Sequence, residues 1–128
     1  MLGSGVMRVL GVHHVAVEAE DLAAARAFYA DLLGLPVRDD RPDGIRPGHW
    51  LDAGAQQVHI VLPEGVGNHV ALEVDDIDAA VAELRAKGVD VPDPYGIGGL
   101  PRRPGEACQT QFRDPFGNRI ELTQLVSR

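Results

Sequence analysis

Apolar and polar residues alternate through a valine-rich run at residues 10–18, which predicts a strand. The period then lengthens. Leu22, Ala25, Phe28, Tyr29, Leu32 and Leu33 recur at helical spacing, with Asp21 placed to cap the start and Gly34 to stop the end. Three short strands are expected next, around 35–39, 46–53 and 56–62, separated by the turn-forming stretches Arg41-Pro42-Asp43-Gly44 and Ala53-Gly54-Ala55. The same order then repeats. A strand is expected at 68–74. A helix over 76–87 carries Ile77, Ala80, Val81 and Leu84 and stops at Gly88. Strands follow at 89–92, 107–113 and 118–125, the last two joined by the turn Asp114-Pro115-Phe116-Gly117-Asn118.

Two βαβββ units in tandem predict an α+β fold, with curled mixed sheets around a cleft and helices outside. The link Pro63-Glu64-Gly65-Val66-Gly67 is short, so the units read as modules of one domain spanning 1–128, module 1 about 8–63 and module 2 about 67–126. The duplication extends to single residues. His14-Val15-Ala16-Val17-Glu18 is echoed by His69-Val70-Ala71-Leu72-Glu73, 55 positions later, and Asp21 by Asp76. At an offset of 62, Val58-His59-Ile60 is echoed by Ile120-Glu121-Leu122.

Residues two apart on a strand share a face. With Val15, Val17, Val70, Leu72, Val74, Val58, Ile60, Leu62, Ile120 and Leu122 packed toward the helices, His14, His69, His59 and Glu121 all point the other way. A single strand histidine is usually a surface group. Three histidines and a glutamate at repeat-related positions instead suggest a metal site, with His59 as fourth ligand or outer support. His13 falls on the face opposite His14 and is not expected to take part. His49 is expected to be structural or to line the cleft.

Bulk properties narrow the partners. The chain has 128 residues, 45% of them apolar and 24% charged, as in ordinary globular proteins. A net charge of −7 argues against nucleic acid. No apolar run reaches membrane-spanning length, and Met1–Met7 lacks the pattern of a signal peptide. The one cysteine, Cys108, excludes an internal disulfide and fits a reducing, cytoplasmic setting. The long stretch 93–105 reads as a lid or binding loop in which Arg102 or Arg103 grips a substrate carboxylate or phosphate. Trp50, Tyr95 and Phe112 are candidate cleft walls, although Phe112 is better suited to the core.

Nearly the whole chain after Met7 resembles the vicinal oxygen chelate superfamily, which includes glyoxalase I, ring-cleaving dioxygenases, methylmalonyl-CoA epimerase, and fosfomycin- and bleomycin-resistance proteins. The carrying motifs are His14-Val15-Ala16-Val17 before Asp21-Leu22, Phe28-Tyr29 through Leu33-Gly34-Leu35, His69-Val70-Ala71-Leu72 before Asp75-Asp76-Ile77, and Asp114 through Leu122. The resemblance implies metal ligands on the first and last strands of each module, matching His14, His59, His69 and Glu121. It also implies one divalent ion per site (Zn, Ni, Co, Mn or Fe(II)), a small oxygen-rich substrate, and a homodimer.

One departure from the glyoxalase I pattern bears on chemistry: His59 stands where that pattern has a carboxylate. Three neutral imidazoles and one carboxylate would leave a divalent ion with a formal charge of +1, and one fewer carboxylate base. His59 or Glu121 would then act as proton acceptor. His14, His69 and Glu121 alone form the two-histidine, one-carboxylate set that suits iron(II) and oxygen. The expectation is a metal-dependent lyase or isomerase ahead of a dioxygenase. A metal-independent drug-binding protein of the bleomycin-resistance type is the alternative.

Overall fold

A computed structural model of the chain describes residues 7–42, 45–92 and 107–125. Strand β1 spans Val9–Glu18, helix α1 Leu22–Arg26, β2 Gly48–Ala53, β3 Gln56–Val61, β4 His69–Val74, α2 Ile77–Ala86, β5 Ala107–Arg113 and β6 Arg119–Leu125. The strands form a six-stranded mixed sheet in the order β2-β3-β1-β4-β6-β5. By internal contacts the chain divides into two compact units, His13–Val70 and Met1–Val12 with Ala71–Arg128. That division falls at β1 and β4 rather than in the 63–67 link.

In the His13–Val70 unit, β1 runs parallel to β3 with His14 opposite Gln57 and Ala16 opposite His59. β2 runs antiparallel to β3, placing Trp50 opposite His59. The core is Ala25, Leu51 and Ile60, with Val17, Leu22, Tyr29, Leu35 and Val58 packed against it. Asp21 starts α1 as expected, its Oδ1 accepting from the Ala24 N–H at 3.0 Å. Such a cap stabilises by about 1 kcal/mol.

The helix then departs from the pattern. Residues Ala27–Leu32 wind as a π-helix, with the Leu33 N–H donating to the Phe28 carbonyl. Each widened turn takes in an extra residue and rotates later positions around the axis by about 100°. Phe28, Leu32 and Leu33, which helical spacing assigns to the core, are exposed, Leu32 by 70%. Gly34, at φ 82°, ends the segment as expected.

The strand expected at 35–39 is a single bridge, Val37 to Leu51. Pro36 has no N–H to donate, and its carbonyl accepts from Asp52 at 2.8 Å. Val15 was expected under the helix with Val17, yet it is 37% exposed while Val17 packs into the core.

In the other unit, β5 and β6 pair antiparallel, with Gln111 opposite Glu121 and Gln109 opposite Thr123. Val74, Ile77, Ala80, Val81, Val91, Cys108 and Leu122 form its core, and Phe112 packs against it, as expected. Asp76 caps α2 by accepting from Ala79 at 3.1 Å, and Gly88 follows it at φ 89°. The strand expected at 89–92 is absent. Pro92 cannot donate, and the Val91 carbonyl is taken by the Arg85 guanidinium, with Nε at 3.0 Å and Nη2 at 2.5 Å.

Candidate metal centre

Three of the four expected ligands are drawn together in the His13–Val70 unit. His14, in mid β1, is 1% exposed; His59, in β3, is buried; His69, at the head of β4, is half-buried. The Nε2 atoms of His14 and His69 are 3.3 Å apart, and their rings stand nearly perpendicular at 77°. Nδ1 of His69 lies 2.8 Å from the Gly67 carbonyl. A carbonyl only accepts, so this bond fixes the proton of neutral His69 on Nδ1 and leaves Nε2 with its lone pair.

His59 is placed differently. Its ring lies nearly parallel to His14, at 15° with centroids 3.8 Å apart, and its other face stacks on Trp50, at 10° and 4.7 Å. Its Nε2 donates to the Gln57 side-chain oxygen at 2.8 Å. Burial, followed by the neighbouring imidazoles of His14, His13 and His69 and then Arg41, pushes its pKa down to about 2. The ring is therefore neutral at any ordinary pH and a weak proton acceptor.

The ring of His13 meets that of His14, although alternation puts the two residues on opposite faces. Its Nδ1 is 2.8 Å from Nδ1 of His14. The pairing of β1 with β3 begins only at His14, so alternation is not imposed by that ladder at residue 13. With the His14 proton on Nδ1 and donated to His13, Nε2 of His14 also presents a lone pair. His49, expected to be structural, donates from Nε2 to the Leu22 carbonyl at 3.0 Å and ties β2 to α1.

In the other unit, Glu121 on β6 is buried and held by donors from its own sheet. Its Oε2 accepts from Thr123 Oγ1 at 2.7 Å and Gln109 Nε2 at 2.9 Å; its Oε1 accepts from Gln111 Nε2 at 3.2 Å. Charge-assisted bonds of this kind are short and strong and fix the direction of the carboxylate. Gln109, Gln111 and Thr123 went unnoticed in the sequence, although alternation on paired strands places all three on the face of Glu121. Of the expected substrate contacts, Trp50 stacks on His59, while Tyr95, Arg102 and Arg103 lie outside the described residues. Cys108 is buried.

Residues 11–122 match the family model of the glyoxalase/bleomycin resistance protein/dioxygenase superfamily. The chain belongs to this superfamily. The uncharacterized protein YaeR of Escherichia coli (strain K12) is 32% identical to it, over 87% of this chain and 93% of YaeR. A mitochondrial methylmalonyl-CoA epimerase from Bos taurus is 31% identical over 70% of this chain and 61% of the epimerase. The crystal structure of methylmalonyl-CoA epimerase from Mycobacterium tuberculosis shares the superfamily fold, with a TM-score of 0.74 at 23% identity, covering 98% of this chain and 93% of that one.

Proposed function

We propose that this superfamily member is a divalent-metal-dependent isomerase that removes and returns a proton beside a carbonyl of a small acyl substrate. The observation that carries the reading is the donor set. His14 and His69 of the His13–Val70 unit present Nε2 atoms 3.3 Å apart, and the reading adds Glu121, the buried carboxylate of the other unit, as their partner. Metal–ligand arms of about 2.1 Å can meet across the 3.3 Å between the two Nε2 atoms. The His69 tautomer set by Gly67, the His14 ring held against His13, and the carboxylate braced by Gln109, Gln111 and Thr123 fit a hard-to-borderline divalent cation such as Zn, Ni, Co, Mn or Fe(II). When bound, the ion would act as a Lewis acid on two neighbouring substrate oxygens.

The chain's own residues supply the rest. Burial of His14, His59 and Glu121 keeps water from competing with substrate oxygens and strengthens electrostatic interactions at the site. Glu121 is the carboxylate of the set, and it takes up and returns the substrate proton at Oε1, while Thr123 and Gln109 hold Oε2 in place. The epimerase activity named for the bovine relative supports proton transfer at carbon over ring cleavage.

The test is deuterium wash-in. Protein loaded with Zn2+ or Co2+ and incubated in D2O with a 2-methyl-branched acyl-CoA should exchange the proton at C2, and Glu121→Gln should lose the exchange. No exchange with any of the five ions would overturn the isomerase reading. Two imidazoles and one carboxylate are also the set used for iron(II) and oxygen, so oxygen uptake by the iron-loaded protein would favour dioxygenation. Tight ligand binding by metal-stripped protein, without turnover, would favour sequestration.

A further inference from the structure

Two arginines, three residues apart in the His13–Val70 unit, are treated in opposite ways. Arg38 is satisfied by the chain. Its Nε and Nη2 donate to the Asp40 carboxylate at 2.9 and 2.6 Å, and its Nη1 donates to Asp52 at 2.6 Å. Hydrogen bonds to these two carboxylates raise its pKa above the usual arginine value. Arg41 is half-buried, yet it makes no ion pair with any described residue. Its Nη2 donates to the Arg46 carbonyl, and its guanidinium lies over the Trp50 ring, 5.9 Å from the centroid. Its Nε is closed off from solvent without an acceptor, the one buried side-chain donor among the described residues left so. Nη1 has no partner in the chain either and stays open to solvent. Burial pulls the Arg41 pKa down, with no neighbouring carboxylate to offset it.

A buried donor without an acceptor, and a charge drawn from water without a counter-charge, both cost stability and call for a reason. The placement supplies one. Trp50 stands opposite His59 in the β2–β3 ladder, and their rings stack at 4.7 Å. With one face of Trp50 covered by His59, the guanidinium takes the other. The chain therefore sets an uncompensated cation one indole away from an imidazole of the candidate centre. Gly48 leaves room for it: a Cβ there would stand 3.0 Å from Nη2 of Arg41.

We propose that Arg41 is an anion-binding residue of this site, pairing with a carboxylate or phosphate at the end of the substrate away from the oxygens held at the candidate metal centre. The oxyanion supplies the acceptors that the chain withholds, beginning at Nη1, and a planar guanidinium can take two oxygens at once. Trp50 beneath it holds the guanidinium plane by a cation–π contact. The sequence suggested this role for Arg102 or Arg103 and did not single out Arg41. Assigning the anion to the substrate rests on the function proposed above; anion binding by Arg41 does not require the metal.

Trp50 is the single tryptophan of the chain and lies against Arg41, so its emission reports an anion bound there. Metal-stripped full chain is titrated with inorganic phosphate and, separately, with acetate, at ionic strength held constant with sodium chloride. At least one of them should change the emission saturably, and the anion bound more tightly names the source. Arg41→Gln should weaken that binding about 10–100-fold, as for a lost charge-assisted bond. Arg26→Gln, which removes an exposed charge from α1 of the same unit, should stay within about twofold of the parent. No saturable response to either anion, a response that Arg41→Gln keeps, or one that Arg26→Gln loses equally would overturn the inference.

Should Arg41→Gln fail to fold by circular dichroism, the parent protein decides. Phosphate or acetate should slow the modification of Arg41 by phenylglyoxal, read by peptide mass spectrometry, and unchanged modification overturns the inference. The two readings fail separately. Zn2+ binding without an anion response sinks this inference alone, whereas an anion response in a chain that binds no divalent ion leaves it standing and sinks the metal reading.

Discussion

Two buried threonines of β5 and β6 give a controlled test of how Glu121 is held. Thr123 is wholly buried, and its hydroxyl donates at 2.7 Å to Oε2 of the carboxylate. Thr110 is equally buried, but its hydroxyl reaches only the neutral Pro92 carbonyl, at 3.4 Å. Valine replaces either with little change of shape. Thr123→Val removes a short bond to a charged acceptor, worth about 1.5–3 kcal/mol, and leaves the carboxylate oxygen less well satisfied. Thr110→Val removes a long bond to a neutral acceptor and should cost less than about 1 kcal/mol. For a chain of this size the first loss corresponds to roughly 6–12 °C in Tm. Urea denaturation of metal-stripped protein, followed by circular dichroism, measures both, and an unchanged m-value would show that the denatured state is not the cause. In parallel, the Zn2+ affinity of Thr123→Val should fall about 10–100-fold. Equal costs for the two variants, or a Thr123→Val protein within about 0.5 kcal/mol of the parent, would refute the reasoning.

The repeated caps should behave alike. Asp21→Ala and Asp76→Ala each remove one side-chain acceptor from a helix N-terminus and should each cost about 1 kcal/mol in urea unfolding. In the β5–β6 turn, the Asn118 side chain, helped by the N–H groups of Asn118, Phe116 and Gly117, holds the Asp114 carboxyl below its ordinary 3.8. A depressed carboxyl stabilises the fold above its unfolded pKa, and this contribution is lost as pH falls through the folded value. The Tm gap between parent and Asp114→Asn should therefore be present at neutral pH and close on acidification below about pH 4. In the core, Ile60→Ala empties a fully buried position between α1 and the sheet and should cost about 2–5 kcal/mol, read from the urea midpoint.

Much of this architecture was legible because the chain writes each module twice. The Asp21 and Asp76 caps, the glycine stops at 34 and 88, and the burial of His14, His59 and Glu121 all follow from period and repetition, and all are present. What was misread depends on backbone hydrogen bonding that periodicity does not encode. The π-helical turns carry Phe28 and Leu32 to the surface, and Pro36 and Pro92 withhold the donors that two expected strands need. At the site, alternation separated His13 from His14, yet their Nδ1 atoms meet at 2.8 Å. The ring contacts of His59 with Trp50 and His14, brought alongside by strand register, are likewise not revealed by sequence offset alone. The glutamines that brace Glu121 were visible in principle, since Gln109 and Gln111 alternate on the strand that pairs with it.

The most direct test of the account is the metal content of the protein purified without chelator, with Zn2+ titration calorimetry on the parent and on His14→Ala, His69→Ala and Glu121→Ala. The account predicts one divalent ion per chain in the parent, lost in all three variants, and a parent Tm that rises with free Zn2+ by about 2.7 kcal/mol of added stability at a hundredfold excess over Kd. A parent protein that binds none of the five ions, or variants that bind Zn2+ as well as the parent, would contradict it.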